Sequence, residues 1–292
     1  MTPNQRNQHK LLKLKPKELD ALRNGVTRLH DWCARHKRQL PWRDDPAPYR
    51  VWVSEIMLQQ TQVSTVIPYF KTFMQHFPSL KRLANAPIDD VLHLWTGLGY
   101  YARGRNLHKA AQMIQTEFGG RFPRDLESVM SLPGIGRSTA GSILAQACEQ
   151  AEPILDGNVK RGLSRLHTVE GWPGLPQVEQ QLWKLAEHYT PKTRIVDYTQ
   201  AIMDLGATLC TRTRPICDEC PVKKSCKAFA DDSVDQFPAR RPSLKISKKS
   251  FQMLILIDRN GHVLLERRPP VGIWGGLWSL PADDDGWSIQ QR

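Results

Sequence analysis

Cys210, Cys217, Cys220 and Cys226 follow a C-x6-C-x2-C-x5-C pattern, so four of the chain's six cysteines fall within one short segment. A segment with that density of thiols must wrap around whatever they hold. The N-terminus carries no apolar h-region of a secretory signal, so disulfides are not expected. Structural zinc usually takes two close pairs divided by a longer loop. Here one close pair is flanked by single cysteines, and four thiolate ligands also suit an iron–sulfur cluster. The spacing favours the cluster over zinc, holding a loop in shape and leaving electron transfer open. Arg212 and Arg214 lie within that loop. Fixed ends would present these cations rigidly, as contacts to phosphate require. Cys33 and Cys148 stand far away and read as plain thiols.

The partner suggested by charge is a polyanion. Lys and Arg number 41 against 29 Asp and Glu, a net charge of +12. Nucleic acid and an anionic membrane both fit such an excess. No apolar run approaches the roughly 20 residues that span a bilayer, and no membrane role is expected. With 292 residues and 40% apolar content, the chain can build one large domain or two smaller ones.

Residues 1–20 read as a basic tail. From 21 to 230 the apolar periodicity is mostly helical, as in Val91, Leu92, Leu94 and Trp95, or Ile195, Tyr198, Ile202 and Leu205. Helix-breaking pairs punctuate it at Asp45-Pro46, Phe77-Pro78, Ala86-Pro87, Phe122-Pro123 and Leu132-Pro133. Many short helices and little sheet are therefore expected, with a cysteine loop at 210–226. A basic, proline-containing linker occupies 231–250. From 251 the pattern turns β-prone: Phe251 to Ile257 is apolar, Asn260-Gly261 is a favoured hairpin turn, and His262 to Glu266 is a return strand. A lone hairpin is marginal, so the module at 251–292 reads as incomplete.

Leu132-Pro133-Gly134-Ile135-Gly136 places two glycines one residue apart, ahead of the small, apolar run Ser138 to Ala147. Glycine permits a tight turn and close backbone approach, and the exposed amides of a following helix can hold a phosphate. Together these features resemble a helix-hairpin-helix DNA-binding element.

Two carboxylates stand out. Glu55 is a single acid within Val51-Trp52-Val53-Ser54-Glu55-Ile56-Met57-Leu58. Burial there would raise its pKa and make it a proton donor near neutrality; a carboxylate on a helix surface is the plainer reading. Asp156 follows Pro153-Ile154-Leu155 and precedes a helical pattern rich in basic residues. It can be a simple N-cap, or an acid that stays ionised. One neutral and one charged carboxyl group are what breaking a glycosidic bond requires.

These motifs resemble the helix-hairpin-helix DNA glycosylase superfamily and, within it, the MutY family of adenine DNA glycosylases. The resemblance also rests on Leu40-Pro41-Trp42-Arg43, on Gln59-Gln60-Thr61-Gln62-Val63, on Gly97-Leu98-Gly99-Tyr100-Tyr101-Ala102-Arg103 and on Leu155-Asp156-Gly157-Asn158-Val159. It implies a mainly α fold of two helical subdomains with the hairpin and a [4Fe-4S] cluster loop. An incomplete α/β MutT-like (Nudix-type) module would follow. The implied reaction is excision of adenine mispaired with 8-oxoguanine or guanine in double-stranded DNA. Glu55 would protonate the base and later assist water, and Asp156 would stabilise the sugar cation. Gln60 and Tyr100 would wedge into the duplex while adenine is flipped out. Thr61, Gly134, Gly136, Ser138, Asn158, Arg212 and Arg214 would complete the DNA-binding surface, and Cys210, Cys217, Cys220 and Cys226 would hold the cluster. The related endonuclease III group has a lysine where this chain has Ser138. A hydroxyl cannot form the Schiff base that leads to strand cutting, so a monofunctional glycosylase is expected. No glutamate-rich hydrolase box appears after Trp278, so nucleotide hydrolysis is not expected. The resemblance further implies a monomer acting in the cytoplasm, nucleoid-associated in a bacterium. Two other readings share part of the pattern: a bifunctional endonuclease III-type enzyme, and a catalytically silent iron–sulfur DNA-binding module.

Overall fold

The computed structural model describes residues 16–243, 252–269, 272 and 275–283. Most of the expected tail, the linker segment 244–250 and the stretch 284–292 lie outside the described residues, as do Phe251, Pro270, Val271, Ile273 and Trp274. Helix α1 (Pro16–His36) begins within the segment read as a tail.

The helices α2 (Pro41–Asp44), α3 (Pro48–Leu58), α4 (Val63–His76), α5 (Leu80–Ala84), α6 (Ile88–Trp95), α7 (Ala102–Glu117), α8 (Leu126–Ser131) and α9 (Arg137–Cys148) follow in order. Then come α10 (Gly157–His167), α11 (Pro176–Tyr189), α12 (Ile195–Thr208) and the short α13 (Lys227–Ala230). All five helix-breaking proline pairs fall between helices. Proline also opens α2, α3 and α11, where its missing N–H costs nothing and its fixed φ suits the first turn. Ser79 and Asp125 cap α5 and α8 through their side chains.

Two apolar cores organise these helices, the second made of two clusters that meet at Tyr189 and Ile202. The first joins α2 through α9 around Trp52, Phe70, Phe73, Trp95 and Leu144, all essentially buried. The second joins α1 with α10, α11 and α12 around Leu29, Trp32, Leu163, Leu182 and Tyr198. The second lobe is therefore discontinuous in sequence, since α1 lies against α12. A charged latch fastens the lobes together. Asp204 on α12 is wholly buried and binds Arg38 and Arg43, with Arg43 Nη1 2.8 Å and Nη2 2.9 Å from its two oxygens. Among the described residues no helix is long and apolar enough to cross a membrane.

The start of the linker is less free than its composition suggests. Buried Arg165 donates to the carbonyls of Val234 and Phe237, which ties that segment to α10. Beyond it, β1 (Gln252–Met253) pairs antiparallel with β4 (Ala282–Asp283), and β2 (Glu266–Arg267) pairs with β3 (Trp278–Ser279). The expected hairpin is present: Ile257 bridges Val263, and Asp258 caps the Asn260-Gly261 turn through its carboxylate.

Candidate active site and cysteine loop

Glu55 and Asp156 reach the junction of the lobes from different directions. Glu55 lies on α3, between Ser54 and Ile56, which both face the first core. α9 packs across α3 and offers Gln146, whose Nε2 donates to Glu55 Oε1 at 3.2 Å. Burial pushes the Glu55 carboxyl up to about 7; the Gln146 and Ser142 hydrogen bonds oppose this, and the negative charge of Asp156 adds to it. A carboxylic acid so placed is half protonated near neutral pH and can give a proton to a base.

Asp156 is brought there by the turn from α9 into α10. Gly141 on α9 has no Cβ, and one would collide with the carbonyl oxygen of Pro153. The segment 153–155 therefore lies directly on α9, and Ser138 Oγ accepts from the Leu155 N–H at 2.9 Å. Asp156 then caps α10, its Oδ1 accepting from the Val159 N–H at 2.8 Å. It is both the N-cap and a member of the carboxylate pair. Burial raises its carboxyl despite the Val159 and Asn158 amides, Arg161 and Lys160. Helix-end amides help an anion, but here desolvation is the larger effect.

The two expected wedge residues both occupy left-handed backbone: Gln60 has φ 57° and Tyr100 has φ 48°. Non-glycine side chains adopt that region rarely and keep it only when their surroundings impose it. Tyr100 is 63% exposed, which removes core packing as its explanation. Both side chains border a cavity of about 480 Å³ that also meets Gly272 and Gly275 of the β module. The residue that imposes this geometry is Arg103, which sequence reasoning quoted within a motif but gave no role. Its buried guanidinium donates to the carbonyls of Ile56, Met57 and Gln59, to Thr61 Oγ1, and to the carbonyls of Leu98 and Gly99. It also stacks near the rings of Trp95 and Tyr100. Thr61 joins this clasp while staying partly exposed. Lysine cannot reproduce so many directed bonds. Arg103→Lys is expected to cost about 1–3 kcal/mol of stability, as stranded buried carbonyls do. It should also speed amide exchange in 59–61 and 98–100, measurable by hydrogen–deuterium exchange.

The hairpin stands beside the wedge loops. Gly134 has φ 81°, open to glycine without strain, and its carbonyl accepts from Gln59 Nε2 at 3.4 Å. Gly136 starts α9 with no side-chain cap, so the first amides of that helix are available to a ligand. Asn158 lies partly exposed in the first turn of α10. Its Oδ1 accepts from Arg161 and its Cβ crowds against Gly206 of α12, so it locks α10 to α12.

Cys210, Cys217, Cys220 and Cys226 all border one apolar cavity between α10, α12 and the 210–226 loop, and all are free thiols. Among the described residues no three His, Cys, Asp or Glu side chains close on a point that would hold a single metal ion. Burial pushes the Cys220 thiol up to about 12, with the charges of the other three cysteines adding to it. A cationic centre among them removes that penalty. Two arginines on α10, missed in the sequence although spaced i, i+4, add positive charge from the protein side. Arg165 Nη1 donates to Cys210 Sγ at 3.3 Å, and Arg161 Nε donates to the Cys210 carbonyl at 2.7 Å. The donor set therefore fits an anionic iron–sulfur cluster. Arg165 also donates to the carbonyls of Thr211 and Arg212, leaving the side chains of Arg212 and Arg214 exposed.

The chain is similar to known DNA repair proteins. Residues 53–188 match the family described as HhH-GPD superfamily base excision DNA repair protein, and residues 252–291 match the NUDIX domain. An adenine DNA glycosylase of Buchnera aphidicola subsp. Baizongia pistaciae is 39% identical over 84% of this chain and 69% of its own. The human adenine DNA glycosylase is 37% identical over 91% of this chain and 58% of its own. Among solved structures, a thermostable thymine-DNA glycosylase superimposes with a TM-score of 0.65 at 23% identity, over 73% of this chain and 98% of that one. Endonuclease III, in a non-covalent DNA complex, gives 0.62 at 20% identity over 73% and 97%.

Proposed function

Because this chain belongs to the adenine DNA glycosylase family of base excision repair enzymes, we propose that it excises adenine mispaired with 8-oxoguanine or guanine, as a monofunctional enzyme. The observation that carries this reading is a Glu55 carboxyl poised near neutrality within the electrostatic reach of Asp156.

Adenine leaves as a poor anion and must be protonated as the C–N bond lengthens. Glu55 supplies that proton. Positive charge grows on the sugar, and Asp156 faces it as an anion. Burial makes that carboxyl costly to ionise, and a cationic sugar beside it removes the cost. The base must first leave the stack. Gln60 and Tyr100, held forward by Arg103, fill the gap it leaves. The amides at the start of α9, with Arg212 and Arg214, hold phosphates and set the register of the duplex. Ser138 lacks an amine, and its hydroxyl is engaged by the Leu155 N–H, so no imine forms and the strand is left intact at an abasic site. The four cysteines hold a [4Fe-4S] cluster, which supplies rigidity to the 210–226 loop. The enzyme acts as a monomer.

The test is an end-labelled duplex with one A:8-oxoguanine pair. Strand breaks that appear only after hot alkali support the reading. Breaks without alkali would point to a lyase, and an intact strand under both treatments to a silent binding module.

A further inference from the structure

α9 carries one polar side chain that nothing in the reaction so far requires. Gln146 is 5% exposed and sits among Ile143, Leu144 and Ala145, which are fully buried. A buried amide needs partners, and Gln146 has two. Its Nε2 donates to Glu55 Oε1 at 3.2 Å and to Ser142 Oγ, one turn back on α9, at 2.9 Å. Ser142 is itself buried. A leucine would fill the same space on a helix that otherwise packs small, apolar residues.

We propose that Gln146 is a positioning residue for excision: its amide N–H fixes one oxygen of Glu55 so that the other faces the base and carries the proton. This rests on the role of Glu55 given above. Donation to the carboxylate also favours the anion, and so keeps the acid from becoming too weak to give up its proton. The other charged groups around Glu55 are Asp156 at the start of α10 and Arg43 on α2, which act on it through charge. Arg103 on α7 binds backbone carbonyls instead. α4 turns the apolar Val66 and Phe70 into the shared core. Ser142 is a second neutral contact that acts on this carboxyl, and Gln146, which donates to both, is the one whose amide sets its direction.

The experiment is single-turnover excision by Gln146→Leu between pH 5 and 9, with Gln146→Met as a second variant of similar volume. The acid works protonated, so the rate falls as pH rises through its pKa. Loss of the donor should move that falling limb upward by about one pH unit and lower the plateau rate several-fold, with affinity for the lesion duplex unchanged. An unmoved limb overturns the proposal. A limb displaced downward also overturns it, because the amide oxygen would then be accepting from the neutral acid. Full activity in Glu55→Gln would instead defeat the underlying assignment, so the two failures are distinguishable.

Discussion

Glu55→Gln is expected to lower single-turnover excision by roughly 10²–10⁴, the range a general acid contributes, while lesion-duplex affinity stays within twofold. Glutamine keeps the shape and can still meet Gln146, but it has no proton to give. The same change should stabilise the fold. Glu55 releases its proton near the ordinary carboxylate value when unfolded, yet only near pH 7 when folded. Between these values the native state binds more protons, so stability falls as pH rises through that window. The penalty is fully present above pH 7 and amounts to about 3 kcal/mol at most. The variant should therefore match the parent near pH 4 and melt at a higher temperature at pH 8. Equal melting temperatures at pH 8 would count against a strained acid at position 55.

Asp204→Asn should have the opposite effect on stability. Burial alone would raise the Asp204 carboxyl, but the hydrogen bonds and charges of Arg43 and Arg38 outweigh it and hold it below the usual range. Arg43 is itself almost fully buried. Removing one member of a buried ion pair leaves the other uncompensated, at a cost of about 3–5 kcal/mol. For a chain of this size that lowers Tm by on the order of 10 °C, which thermal unfolding would measure. The parent's own stability from this pair is present above the unfolded aspartate pKa. It is lost as pH falls through the lower folded value. The change should also reach the chemistry. Arg43 already draws the Glu55 pKa downward, and without Asp204 beside it that pull strengthens, moving the optimum to lower pH.

Much of this arrangement was legible in the sequence because single residue types forced it. Prolines marked every expected helix boundary, and Gly134 marked a turn that needs positive φ. Glu55 stood out as an acid in an apolar run, which is why its raised pKa could be anticipated. Asp156 could be placed as a cap from its position, but its raised pKa depends on its burial, which comes with segment 153–155 lying directly on α9. That closeness follows from the missing side chain at Gly141, and no local pattern announces it. Arg103 and Gln146 were hidden for a related reason. Each contacts backbone or side chains more than forty positions away, so only the folded chain brings donor and acceptor together. The packing of Asn158 against Gly206 was hidden because that glycine sits on another helix.

The pairing of α1 with α12 bears on how the polypeptide matures. A ribosome releases residues 40–148 early, and these contain everything the first core requires. The second core cannot close until residue 209 has emerged to meet α1. During that interval α1 has no partner for Leu29 and Trp32, and these long-range contacts form late. The nascent chain therefore presents a finished first lobe bearing Glu55 while the segment carrying Asp156 is still unanchored, and catalytic competence arrives only when the last helix of the second lobe is made.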